Sequence, residues 1–340
     1  MIVDARLHDW LLETWYGDTG RGRWLQPLAW LYSGLAWLRV MVYREGWLQA
    51  YRSRRVVVVV GNLTVGGTGK TPLVIWLAEN LRARGLHVGI ATRGYGATDG
   101  RTRRVLASDD AKSVGDEPCM LRRRLDLPVV VGADRAEAVR LLEKNSEVIL
   151  CDDGLQHPGL VPDIEIAVVD GARGFGNDRL LPAGPLREPV SRLDSVDAVV
   201  VNGAGFRRPG AITMRLEPVE VVALDGLTRR PLAEFSGQAV IAAAAIGNPG
   251  RFFALLRANG LAVEERAFRD HATLTPVEAG AGTGKPVLMT EKDAVKCTGS
   301  GWRDAWYVTV EARIDSTAAK RLLERVTIET AARLQGAPQS

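Results

Sequence analysis

Five consecutive valines, residues 56–60, lead straight into Gly61-Asn62-Leu63-Thr64-Val65-Gly66-Gly67-Thr68-Gly69-Lys70-Thr71-Pro72. An unbroken β-branched run has no polar face, so it predicts a strand covered on both sides at the centre of a parallel sheet. Beyond the loop, Leu73, Leu77 and Leu81 recur at helical spacing and Gly85 supplies a stop. Strand, glycine loop, Gly-Lys-Thr and helix are the parts of a loop that holds a nucleoside triphosphate tail. The glycines let backbone N–H groups turn inward around phosphates, and the helix N-terminus adds the positive end of its dipole. The expected binders are Thr64, Val65, Gly66, Gly67, Thr68, Gly69, Lys70 and Thr71. Lys70 would reach the β- and γ-phosphates, and the Thr71 hydroxyl would serve Mg²⁺. Thr64 stands where the usual pattern has glycine. The inner Gly66-Gly67 pair instead resembles the deviant branch of these loops, with Val65 in place of their signature lysine. A second stretch, Gly282-Thr283-Gly284-Lys285-Pro286, only mimics the motif. Proline after the lysine removes the hydroxyl and no apolar strand precedes it, so it reads as a plain loop.

Carboxylates follow at the ends of apolar runs. Val148-Ile149-Leu150-Cys151 ends in Asp152-Asp153-Gly154-Leu155-Gln156-His157. An aspartate closing a buried strand is the usual metal-side partner of a phosphate loop. Asp152 is therefore the expected Mg²⁺ contact, with Asp153 facing the active site beside it. Asp116, in Ser113-Val114-Gly115-Asp116-Glu117-Pro118, has two readings: it caps the helix that follows, or it takes a proton from an acceptor hydroxyl. A proline-stiffened loop, residues 180–189, presents Arg187 and Glu188. Phe268-Arg269-Asp270-His271 and the stretch 287–296, which reads VLMTEKDAVK, are further strand ends that open into charged groups. Open α/β sheets place their sites at such ends.

The fold class is α/β: a P-loop NTPase-type, mostly parallel sheet with helices on both faces, a smaller C-terminal α/β domain, and an N-terminal interfacial helix. Strands are predicted at 56–60, 87–92, 129–131, 147–151, 164–169 and 197–201, and helices at 71–84, 116–125 and 134–144. The expected division is 1–50, a membrane-associated helical segment; 51–210, the kinase-type core; and 211–340, the smaller domain. Residues 203–238 read as a connector with scattered short strands.

Six of the nine tryptophans lie in the first fifty residues. Between Leu25 and Tyr43, Leu28, Leu31, Leu35, Leu38 and Val42 share one side, with Tyr32, Arg39 and Tyr43 opposite. A spanning helix needs roughly 20 apolar residues, and this run carries an arginine, a glutamine and a Ser33-Gly34 break. Two readings stand: a helix lying in or dipping into a membrane interface, where Trp is favoured, or a helix packed in the core. Three cysteines without a CxxC pair and only four histidines exclude a disulfide scaffold, a structural zinc site and a His-rich metal enzyme. A net charge of +4 is too weak to argue for nucleic acid.

In order along the chain, the Trp-rich helix, GNLTVGGTGKTP, TRGYG, GDEP, CDDGLQH, LLPAGPLRE, AIGNPGRFF, the Asp-His pair and MTEKDAVK resemble the tetraacyldisaccharide 4'-kinases of lipid A biosynthesis. The resemblance spans nearly the whole chain. It implies ATP- and Mg²⁺-dependent phosphorylation of the 4'-hydroxyl of a tetraacylated disaccharide 1-phosphate by a monomer. The place would be the cytoplasmic face of a bacterial inner membrane. It also implies that Asp116 and His271 handle the acceptor proton, which favours the base over the cap. Lys70 and Asp153 would join them in catalysis, Asp152 would lie on the metal side, and Glu188 near the nucleotide or metal. The competing class is a nucleotide-driven switch or metallochaperone of the deviant branch. A GTPase of that kind would carry Asn-Lys-x-Asp, whereas Thr290-Glu291-Lys292-Asp293 sets lysine and aspartate side by side. A third reading, a P-loop ligase or kinase acting on a soluble acid, has no need of residues 1–50.

Overall fold

The computed structural model describes residues 5–17, 19–98, 100–314 and 316–335. Its centre is the valine strand, Val56–Gly61, in which every residue is buried. Alternate side chains go to opposite faces of a strand. Val56, Val58 and Val60 accordingly meet Leu73, Leu77 and Leu81 on one side. Val57 and Val59 meet Ala138, Leu142 and Leu186 on the other. Burying each such valine stabilises the fold by about 1.5–3 kcal/mol, and this is why the run tolerates no polar residue.

Thirteen strands form one sheet. From one edge the order is Ala262–Ala267, Ala239–Ala244, Val287–Thr290, Ala305–Ile314, Ile212–Ala223, Ala198–Asn202, Ile164–Asp170, Val56–Gly61, Val148–Asp152, Val88–Thr92, Val129–Val131 and Arg103–Arg104, with Arg229–Pro231 beside Ile212–Ala223. Pairing within each half is parallel apart from the short strands Arg103–Arg104 and Arg229–Pro231, which pair antiparallel with their neighbours. The halves meet through an antiparallel pair, Ile212–Ala223 with Ala305–Ile314. In the larger half, strands ending at Gly61, Thr92, Asp152, Asp170 and Asn202 all run the same way, so their C-terminal ends share one edge.

The predicted strands are present within one residue at either end, and the helix predicted at 116–125 is Asp116–Leu125. The connector reading of 203–238 is corrected. This segment holds the twelve-residue strand Ile212–Ala223, which makes the two halves one sheet. Its alternation is interrupted by Pro218 and a register shift between Pro218 and Val221, which hid it from a periodicity reading. The last helix, Ser316–Gln335, does not stay with its neighbours in sequence. Leu322, Leu323 and Val326 pack into the core of the larger half, against the phosphate-loop helix and strand.

At the N-terminus, helix Gln26–Arg44 presents its leucines outward. Leu28, Leu31, Leu35 and Leu38 are exposed, and Trp24, Trp30 and Trp37 are 89%, 68% and 63% exposed. The other side faces the protein: Ala29 is buried, and the Tyr32 hydroxyl donates to the Arg187 carbonyl at 3.2 Å. A core-packed helix would turn its leucines in, so the core reading fails within this chain. Among the described residues no helix is long and apolar enough to cross a membrane.

Candidate active site

The loop from Gly61 to Lys70 is shaped by two glycines with positive φ, Gly66 at 104° and Gly69 at 97°, a region L-residues avoid. Asn62 threads it, donating through Nδ2 to the carbonyls of Thr64 at 2.8 Å and Gly66 at 3.3 Å, while its Oδ1 accepts from Lys70 Nζ at 3.0 Å. Asn202, at the end of a neighbouring strand, donates to the Thr68 carbonyl at 2.9 Å. Lys70 opens helix Lys70–Arg82, so the amides of the first turn point toward the loop.

Thr71 Oγ1 donates to Asp152 Oδ2 at 3.0 Å. The other oxygen, Asp152 Oδ1, is buried without a hydrogen-bond partner. Burial, and then the charge of Glu117, push the Asp152 carboxyl up to about 7. A divalent cation at that oxygen would satisfy it and offset both effects. Mg²⁺ keeps several waters and binds one or two carboxylates plus phosphate. Asp153 adopts φ 58°. It accepts two bonds from Arg187, at 3.0 and 3.1 Å, and lies 3.4 Å from Lys70 Nζ. Burial alone would raise its carboxyl, but Lys70 and Arg187 outweigh burial and hold it at about 2. Glu188 lies one layer further out: it accepts from Gln156 at 2.6 Å, and Gln156 also donates to the Asn62 carbonyl at 3.0 Å. Burial raises the Glu188 carboxyl despite Gln156 and Arg192 beside it.

Asp116 is the first residue of its helix; the cap position is Gly115, and no side-chain cap bond forms. Its carboxylate turns instead to His271, 155 residues away, with Asp116 Oδ2 and His271 Nδ1 3.0 Å apart. His271 sits in a turn at φ 63° after strand Ala262–Ala267, against the ring of Tyr95 at 4.9 Å between centroids. The turn that carries Asp270 and His271 approaches the loop. A Cβ placed on Gly247 would come within 3.2 Å of both Asp270 Oδ2 and the Gly67 nitrogen. Lys292 Nζ is 3.1 Å from Glu117 and 3.8 Å from Asp270. Burial would raise the Glu117 carboxyl, but Lys292, with Lys70 behind it, holds it below the usual range. Lys292 itself is pushed up, the carboxylates of Glu117 and Asp270 overcoming its burial.

The structure thus brings Lys70 to Asp153, Thr71 to Asp152 and Asp116 to His271, with Glu188 behind Gln156. Asn62, Gln156, Asn202, Lys292 and Lys296 received no role from the sequence. Asn62 and Gln156 stood inside quoted motifs, but nothing in their spacing says which backbone atoms they hold. The look-alike loop at Gly282–Pro286 is a surface loop, where Lys285 pairs with Glu264 at 2.8 Å.

A phosphate loop at the C-terminal edge of a parallel sheet, faced by an Asp-His pair, defines an enzyme of the P-loop NTPase type. The family model described as "LpxK: Tetraacyldisaccharide-1-P 4'-kinase" matches residues 21–327, and the chain belongs to that family. A tetraacyldisaccharide 4'-kinase of Pseudomonas aeruginosa is 48% identical over 306 residues, covering 89% of this chain and 92% of that protein. The counterpart from Methylobacillus flagellatus is 44% identical over 322 residues, covering 94% and 96%. The crystal structure of the "apo" form of LpxK from Aquifex aeolicus in complex with ATP matches with a TM-score of 0.74 at 30% identity, over 90% of this chain and 99% of that one.

Proposed function

We propose that the chain transfers the γ-phosphate of ATP to the 4'-hydroxyl of a tetraacylated glucosamine disaccharide 1-phosphate, the step its family is named for. The observation that carries the reading is the meeting of distant segments: Gly67 of the phosphate loop and Asp270, the residue before His271, both come within 3.2 Å of a Cβ placed on Gly247, and His271 pairs with Asp116 at 3.0 Å. Phosphoryl transfer is largely positioning and charge stabilisation. Lys70 meets the γ-phosphate, and Asp153 with Arg187 fixes where Lys70 points. Thr71 and Asp152 would hold Mg²⁺, which supplies neutralisation of the phosphate oxygens. Asp116, oriented by His271, takes the proton of the acceptor hydroxyl; a positioned base typically contributes 10²–10⁴-fold. Glu188 supports the nucleotide side through Gln156.

The acceptor is a lipid, which accords with the outward row of leucines and tryptophans on helix Gln26–Arg44. Such a face, flanked by Arg21, Arg23 and Arg44, suits the headgroup level of an anionic bilayer. In this division of labour residues 1–50 seat a monomer on the cytoplasmic face of the inner membrane, 51–210 hold the nucleotide, and 211–340 bring His271. The decisive assay is transfer of radiolabelled γ-phosphate to lipid A precursors in detergent micelles. The tetraacyldisaccharide 1-phosphate should be labelled, and Lys70→Ala should abolish labelling by removing charge from the γ-phosphate. Near-normal turnover in that variant, or an unlabelled lipid with active protein, overturns the reading.

A further inference from the structure

The motif Met289-Thr290-Glu291-Lys292-Asp293-Ala294-Val295-Lys296 lies against the site without a role in the reaction as described so far. Asp293 is fully buried. Its Oδ2 accepts from the Ala245 amide at 3.0 Å and from the Thr290 hydroxyl at 2.7 Å. Its Oδ1 stands 2.7 Å from Lys296 Nζ, and the Lys296 side chain is 4% exposed. Lys296 Nζ is also 3.7 Å from Asp116 Oδ2, the oxygen that faces His271 Nδ1 at 3.0 Å. Both nitrogens therefore address one oxygen of Asp116. Among the described residues no hydrogen bond goes to Oδ1. A buried lysine is costly unless paired. Asp293 supplies one negative charge, and the second carboxylate within ion-pair reach is the proposed base.

We propose that Lys296, anchored by Asp293, is a positioning residue for Asp116: together with the histidine it holds Oδ2 and leaves Oδ1 to receive the acceptor proton. This rests on the reading of Asp116 as the base. The charged groups around Asp116 are His271 and Lys296 in contact, with Glu117, Lys292 and Asp270 beyond them. Taking the Lys296 charge away frees the Asp116 carboxylate to rotate.

The test is kcat and KM for micellar γ-phosphate transfer by wild type, Lys296→Met, Lys296→Arg, the double variant Asp293→Asn with Lys296→Met, and Asp116→Asn. In Lys296→Met, kcat should fall by about tenfold or more, as expected for a misaligned reacting group. KM for ATP should stay within about twofold. Lys296→Arg, which keeps the charge, should restore most of kcat. The double variant keeps the interior balanced; it should behave like Lys296→Met and gives the answer where the single variant does not fold. A wild-type kcat in either Met variant overturns the proposal, because Lys296 then serves only to neutralise Asp293. Asp116→Asn separates the two levels. If it is inactive while the Met variants are normal, only the role of Lys296 fails; if it turns over normally, the base assignment fails first.

Discussion

A side chain at Gly69 would meet two obstacles at once. The backbone there holds φ 97°, and an added Cβ would stand 2.2 Å from Asn202 Nδ2, the group that fixes the Thr68 carbonyl. Left-handed backbone alone costs an L-residue about 1–2 kcal/mol, and displacing Asn202 loosens the loop itself. Gly69→Ala should therefore lower the melting temperature by several degrees and weaken nucleotide binding more than tenfold; calorimetry and ATP titration check both. Gly67 lacks this constraint, with nothing within 4 Å of an added Cβ. At this scale the sequence is legible where partners are local or where spacing dictates chemistry. Lys70 and Thr71 are fixed by the loop, and Asp152 by its strand. Asp116 shows the limit, because helix-start position suggested a cap and only the approach of His271 makes its carboxylate part of a pair.

At the scale of elements, the N-terminal helix inverts the usual arrangement. Ala29, Tyr32 and Ser33 lie on the protein side, while four leucines and three tryptophans of residues 24–38 are exposed. The periodicity was plain in the sequence, but periodicity says only that a helix has two faces, not which one meets the protein. Replacing Trp30 and Trp37 with Ser removes large apolar area from the outward face without touching the contacts of Ala29 and Tyr32. The double variant should bind anionic liposomes several-fold more weakly in flotation assays while keeping its melting temperature; undiminished binding would remove this face from membrane contact. This helix and the one before it, Ala5–Tyr16, are tied to the site-bearing loop. Trp15 Nε1 donates to the Pro182 carbonyl at 2.9 Å, Arg179 pairs with Gln26 at 2.5 Å, and Tyr32 bonds the Arg187 carbonyl.

Across the whole molecule, these ties join the N-terminal segment to the loop that carries Arg187. A chain lacking residues 1–50 loses the outward apolar face and the three contacts on the 179–187 loop. It should lose transfer to the micellar lipid by at least about tenfold while retaining ATP affinity, because the loop of residues 64–71 is held by Asn62, Asn202 and the valine strand. Full activity after truncation would point to a soluble acceptor. The continuous sheet also explains how His271, on the smaller half, reaches Asp116 on the larger. Strand Ile212–Ala223 pairs with both halves, and the last helix returns to pack on the first core.

By itself the sequence determined the central strand, the phosphate loop, the aspartate that closes the strand beside it and the order of strands and helices up to residue 202. Each of these depends on neighbours within a few residues, where backbone geometry and side-chain period leave little choice. Tertiary structure alone decided which way the N-terminal helix faces, that residues 212–223 join two sheets into one, and that Asp116, His271, Lys296 and Asp293 form one cluster. Those outcomes rest on contacts between residues up to 180 positions apart, from Asp116 to Lys296. Burial makes such pairings energetically decisive, yet no local pattern in either segment encodes its partner.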